Sequence, residues 1–162
     1  MNRRRPMKKL MTTLAMVVVA MVAVTAATYA QPEINFGRVS IAGVPASLRT
    51  VGCGTDVNMR IADADGMLVG PPRYGYTVNV NVRNTGAINT AVFVNQILID
   101  GAPAPVTPAS IMVPAGGMVP IKAKIYASPG IHTITIILDN GAAVAETNEG
   151  NNRCDFTLSV VP

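Results

Sequence analysis

The sequence predicts an all-β protein, an antiparallel β-sandwich of about seven strands with an N-terminal β extension. Three observations predict it. Apolar and polar residues alternate with period two in several stretches, the mark of a strand with one buried and one wet face. Turn residues cluster between those stretches at nearly regular intervals, as "NTGAIN", "DGAPAPVTP", "PAGG", "SPG" and "DNG". No stretch beyond the N-terminal region sustains a helical period; "IADADGMLVG" is too polar and is bounded by glycine. Short strands broken at this spacing are the pattern of immunoglobulin-like sandwiches.

The N-terminus reads differently. "MNRRRPMKKL" is basic, "LMTTLAMVVVAMVAV" is apolar or neutral, and "TAATYAQP" supplies small residues before a polar start. That is the layout of a secretory signal peptide over residues 1–30, cleaved after Ala30 or Ala27. The apolar run is shorter than the roughly 20 residues of a membrane span, so an uncleaved anchor is the weaker reading. Met7, opening "MKKLM", offers a second start.

Cleavage changes the charge. Five of the thirteen Lys and Arg leave with the leader and none of the nine acids does, so the remainder carries eight cations against nine acids. The chain past Ala30 is therefore nearly neutral, and no basic patch is expected to attract nucleic acid. Its length suits one domain with a single core. Aromatic residues make up only 4% and Trp is absent, which argues against a sugar-stacking platform.

The strands follow in order. Residues 31–73 form a less regular N-terminal extension, with strands expected around "INFGRVSIA", "ASLRTV" and "VNMRIAD". Residues 74–162 form the sandwich. "YTVNVNVRN" places Tyr76, Val78, Val80 and Val82 on one face and Thr77, Asn79, Asn81 and Arg83 on the other. "MVPIKAKIY" turns Val119, Ile121, Ala123 and Ile125 inward and Lys122 and Lys124 outward. "AVFVNQILID" and "IHTITIILD" are richer in apolar residues and read as central strands. "CDFTLSVV" alternates Phe156, Leu158 and Val160 against Thr157, Ser159 and Val161. Cys53 and Cys154, an even pair in an exported chain, are expected to form a disulfide. With no CxxC and one His, the thiols are not expected to bind metal or catalyse.

From Tyr74 onward the chain resembles the CARDB family, the cell adhesion related domain found in bacteria. The resemblance rests on "VNVNVRNTG" (Val78 to Gly86), "ILIDG" (Ile97 to Gly101), "VPAGG" (Val113 to Gly117) and "SPGIHTITIILDNGAAVAETNEGNN" (Ser128 to Asn152). It implies a seven-stranded immunoglobulin-like sandwich exposed outside the cell, without catalysis. Against the family pattern the domain is expected to stand alone rather than within a long modular surface protein, and the chain carries the extra segment with Cys53.

The polar knot "ETNEGNN" in that last segment admits three readings. As a turn, Asn148, Asn151 and Asn152 cap backbone groups and Gly150 takes a positive φ. As a calcium site, Asp139, Glu146, Glu149 and Asp155 converge if the loop folds back, since calcium takes six to eight oxygen ligands. "DADG" (Asp63 to Gly66) resembles only a fragment of a calcium loop. As a catalytic pair, Glu146 and Glu149 lack any aromatic cleft to hold a substrate, and His132 has no matching nucleophile in view. The residues favour the turn, with calcium as the alternative and no other cofactor expected.

Two functions from different classes fit. The first is a non-enzymatic secreted or cell-surface binding or adhesion module, with the periplasm as the alternative location, recognising a surface polymer or a partner protein. The second is a structural subunit that self-assembles into an extracellular filament or matrix, with "QPEINFGRVSIAG" donated as an edge strand to a neighbouring copy. Neither calls for a membrane span in the mature chain.

Overall fold

Period-two alternation becomes geometry first in the longest strand of the protein. The computed structural model describes residues 30–44 and 47–162. The expected leader, apart from Ala30, lies outside the described residues. In chain order the strands are β1 (Ile34–Ala42), β2 (Arg49–Val51), β3 (Asp56–Arg60), β4 (Met67–Leu68), β5 (Arg73–Asn84), β6 (Phe93–Val94) and β7 (Gln96–Ile99). They continue as β8 (Ala102–Ala104), β9 (Val106–Thr107), β10 (Ser110–Ile111), β11 (Met118–Ala127), β12 (Gly130–Ile137) and β13 (Arg153–Val161). Tyr76, Val78, Val80 and Val82 of β5 are fully buried, as their alternation requires. Each such valine stabilises the fold by about 1.5–3 kcal/mol.

The strands form a sandwich. One sheet has the order β2-β1-β5-β11-β9, with β4 also on β5; the other has the order β3-β13-β12-β7-β8. A separate ribbon pairs β6 with β10. β5 and β11 run antiparallel over their whole length, with Asn79 opposite Lys122 and Thr77 opposite Lys124. β12 and β13 do the same in the second sheet, from Gly130 opposite Val160 to Ile137 opposite Arg153. β3 alone joins its neighbour in parallel, Val57 beside Leu158. One apolar core fills the space between, with Ile121 and Ile125 from the first sheet and Ile134, Ile136, Phe156 and Leu158 from the second. Ile34, Val39, Ile41, Val57 and Met59, all before residue 60, belong to the same core.

The N-terminal segment is a member of both sheets. β1 pairs with β5 along eight residues, from Ile34 opposite Asn84 to Ala42 opposite Thr77, and with β2 on its other side. The segment read as a strand to donate to a neighbouring copy is here paired along one edge with β5 of its own chain. β5 covers one edge of β1 along its length, and β2 covers Val39–Ile41 on the other.

Two turns show how residue type sets the path. The β7–β8 hairpin closes on Asp100 and Gly101, both at positive φ (49° and 79°), as a two-residue turn demands. After β5, the side chain of Asn84 is fully buried yet saturated. Its Oδ1 accepts from the backbone of Glu33 (3.0 Å) and Gly86 (2.9 Å), and its Nδ2 donates to the carbonyls of Ile88 (2.7 Å) and Val113 (3.2 Å). Gly86 follows because a Cβ there would lie 2.2 Å from the carbonyl oxygen of Gln31. "NTG" is thus the joint that seats the entering chain on the end of β5.

"AVFVNQILID" differs from the single central strand expected. It breaks at Asn95 into β6, which joins the ribbon, and β7, which joins the second sheet. Asn95 is buried, and its side-chain oxygen faces the N–H of Asp139 at 3.4 Å. Its amide nitrogen has no partner among the described residues.

Candidate functional site

β12 ends at Ile137 and β13 begins at Arg153, so the knot lies wholly in the loop between two paired strands. Asp139, at φ 47°, opens the loop. It is buried, and its two carboxylate oxygens accept from the N–H groups of Ala143 (2.9 Å) and Val144 (2.8 Å). It therefore braces its own loop.

Three glutamates gather at the far side, one of them not foreseen. Glu146 Oε2 accepts from the N–H of Ile34 (2.7 Å) and Oε1 from Asn152 Nδ2 (3.0 Å). Glu149 Oε1 accepts from the N–H of Glu146 (3.2 Å) and Oε2 from the same Asn152 Nδ2 (3.2 Å). Glu33, just before β1, accepts at Oε1 from Asn151 Nδ2 (3.1 Å) and at Oε2 from the N–H of Thr147 (3.3 Å) and from its hydroxyl. Every oxygen of the three carboxylates thus meets an N–H donor. Burial, with the charges of Glu149 and Glu33 nearby, pushes the Glu146 carboxyl above its ordinary value. The Thr147 hydroxyl, opposed by burial, holds Glu33 below its own. Asn152 is itself buried, and its Oδ1 and that of Asn151 have no donor among the described residues.

The four carboxylates expected to share calcium do not assemble. Asp139 and Glu149 line one cavity of about 460 Å³, with Asn152 and Arg153. Asp155 instead stands on β13, where Arg153 holds it at 2.8 and 3.0 Å and the Thr135 hydroxyl donates to it at 2.5 Å. The Arg153 guanidinium keeps Asp155 below the usual carboxylate range. In the "DADG" segment Asp63 pairs with Arg60 and Asp65 with Lys124. Among the described residues, no three His, Cys, Asp or Glu side chains are set to hold one metal ion.

Gly150 departs from expectation too. It sits inside a 3-10 turn over Glu149–Asn151, its N–H capped by Asn148 Oδ1 at 3.1 Å. The positive φ values of the loop fall on Asp139 and Ala142 instead.

Cys53 and Cys154 are bonded, with a Cα–Cα distance of 5.0 Å across a separation of 101 residues. The bond fastens the β2–β3 turn to the start of β13. Backbone bonds flank it, from Gly54 to the Asp155 carbonyl (2.6 Å) and from Thr157 to the Thr55 carbonyl (3.0 Å).

His132 has neighbours that the sequence reading missed. Its Nδ1 lies 2.7 Å from Asp100 Oδ2 at the β7–β8 turn, and its Nε2 lies 2.9 Å from the Ser128 carbonyl and 3.5 Å from the Ser128 hydroxyl. The three residues, with Arg73 and Tyr126, line a cavity of about 280 Å³. Ser, His and Asp in this order suggest acyl transfer, but the geometry opposes it. Nε2 lies closer to the Ser128 backbone carbonyl than to the Ser128 hydroxyl, so the ring is turned to a main-chain oxygen rather than set to take a proton from the hydroxyl. Asp100 is pushed up by burial, yet the bonds from His132 and the Thr133 N–H win and hold it below its ordinary value. The constellation ties a hairpin tip to a neighbouring strand.

Comparison with known proteins fixes the family. A family model for CARDB matches residues 71–156, more than half of the chain. The chain belongs to the CARDB family. Two solved structures of a CARDB domain from Pyrococcus furiosus share its fold. The crystal structure, described as a complex with di-metal ions, is 20% identical with a TM-score of 0.52, over 83% of this chain and 97% of that one. The solution NMR structure is 19% identical with a TM-score of 0.51, over 82% and 97%. No curated protein matches the chain. The CARDB match takes in β5 through the start of β13, hence both long strand pairs. Among the described residues no helix is long and apolar enough to cross a membrane.

Proposed function

We propose that this CARDB protein works outside the cell as a non-enzymatic binding or adhesion module. It is exported under a cleaved leader and recognises a surface polymer or partner protein through the outer face of its first sheet. One observation carries the reading. Thr77, Asn79 and Asn81 of β5 and Lys122 and Lys124 of β11 all stay at least partly exposed. They line two adjoining depressions of about 360 and 340 Å³ beside β9. A sheet holds such side chains in fixed positions more precisely than a loop would. The disulfide supports an oxidising, extracytoplasmic setting, and the family's link to adhesion supports the binding role.

Calcium is not part of this proposal. The ions of the Pyrococcus furiosus crystal belong to that protein. In the present chain an ion at the knot would have to displace the donors that already fill Glu33, Glu146 and Glu149.

The test is retention of purified residues 31–162 on intact cells of the producing strain, alongside sedimentation in solution. Saturable retention by a monomer supports the module. Concentration-dependent polymers with no surface retention would instead indicate a self-assembling subunit.

A further inference from the structure

The near-neutral total conceals a segregation of charge, and this corrects the expectation that no basic patch survives cleavage. The six strands of the first sheet contain Arg38, Arg49, Arg73, Arg83, Lys122 and Lys124, and not one Asp or Glu. The second sheet is mixed, with Asp56 and Arg60 on β3 and Arg153 and Asp155 on β13. Ion pairing sharpens the contrast. Arg60, Lys124 and Arg153 each have a carboxylate partner. Arg38, Arg49, Arg73, Arg83 and Lys122 have none among the described residues, and all five lie on the first sheet.

Register places most of this charge on the outer face. Arg38 sits opposite Asn81, and Lys122 opposite Asn79, both on the side away from the buried valines. Arg83 follows on the same side of β5, two residues beyond Asn81. Arg49 is the exception, opposite the buried Ile41. Between the free cations stand groups that both donate and accept, Asn79 and Asn81 along β5 with Thr107 on β9, while Thr77 and Lys124 at one end already meet the Asp65 carboxylate. Alternate residues on a strand are roughly 7 Å apart, so Thr77 to Arg83 makes a polar row of roughly 20 Å. The two depressions run along that row and share Thr107 and Lys122.

We propose that this row is a docking groove for a linear acidic polysaccharide, a carboxylated chain of sugars. The proposal rests on the binding-module reading and names its partner. Unpaired exposed cations attract a polyanion, and the amides and hydroxyls between them match sugar hydroxyls, which also donate and accept. The groove lining contains no aromatic ring. It therefore lacks the stacking platform used by single-stranded nucleic acid and by neutral sugars, and leaves charge and hydrogen bonds to hold an anionic chain. The acidic knot of a second copy is a poor occupant, because its carboxylate oxygens are already met by internal donors.

The test uses residues 31–162 and three probes: polygalacturonate, its fully methyl-esterified form, and single-stranded DNA. We expect binding to polygalacturonate that weakens about tenfold or more between 50 and 200 mM salt, and no binding to the ester. Lys122→Gln with Arg83→Gln should weaken it at least tenfold, while Arg49→Gln, on the inner side of the same sheet, should leave it unchanged. Unchanged melting temperatures show that the variants fold. Equal or tighter binding of the DNA would overturn the proposal, as would a dimer that buries the face in solution. Failure of the unmutated protein to bind polygalacturonate, with intact retention on cells, sinks the polysaccharide and spares the module; failure of both sinks both.

Discussion

The backbone N–H of Ile34 donates to Glu146 at 2.7 Å, across 112 residues of sequence. This bond joins the first residue of β1 to the loop before β13, and Glu33 reinforces it through Thr147 and Asn151. The knot is thus a clasp that holds the entering chain to the β12–β13 loop, and its carboxylates serve as acceptors.

The titration of Glu146 gives the clasp a pH signature. Burial raises its carboxyl above the ordinary value of 4.5, so the folded state favours the protonated form. Its charge opposes folding at neutral pH, and that opposition fades as pH falls through the raised folded value toward 4.5. The stability of the wild type relative to Glu146→Gln should therefore rise as pH falls from neutral toward 4.5. Thermal melts of both proteins across that range check it; a constant or falling difference contradicts it.

Asn152→Asp tests the donor at the centre. Its amide serves Glu146 and Glu149 together, and a carboxylate there would lose both bonds and add a like charge. The expected cost at pH 7 is about 2–4 kcal/mol by denaturant unfolding. A variant as stable as wild type, or one restored by calcium, would show that the knot is built for a cation.

Chelation offers a direct check on metal. A site filled at 100 times its dissociation constant would add about 2.7 kcal/mol, several degrees in a domain of this size. We expect the melting temperature to stay unchanged on adding EDTA. A fall reversed by calcium, and not by sodium at equal ionic strength, is the contrary result.

The bond between Cys53 and Cys154 closes a long loop. Cys154→Ser should lower stability by about 2–5 kcal/mol. Thiol counting on the unfolded, unreduced wild type should find none. Two reactive thiols would contradict the pairing.

Much of the fold was legible because β5, β11 and β13 each separate a dry face from a wet one, and period two records that difference. Asn95 was less legible: one polar residue in "AVFVNQILID" does not announce that the strand changes partners there. At the site, local chemistry misled. Asp139 looked like a ligand, yet its oxygens cap amides four and five residues on. Glu33 and Asp100 were missed because their partners lie more than thirty residues away in sequence, where no spacing pattern reaches. The basic sheet was missed for another reason: summing charge along a chain discards the face on which each charge falls.

The central claim is that the outer face of the first sheet is the binding surface. The most direct measurement compares retention on intact cells for two double variants at matched stability. One is Asn79→Ala with Lys122→Ala, in the groove. The other is Thr133→Ala with Thr157→Ala, a cross-strand pair on the outer face of the second sheet. The account predicts that the first loses at least about tenfold in affinity, the loss of roughly 1.4 kcal/mol of contact, while the second binds as the wild type does. Equal binding by both variants, or loss confined to the second, would contradict it.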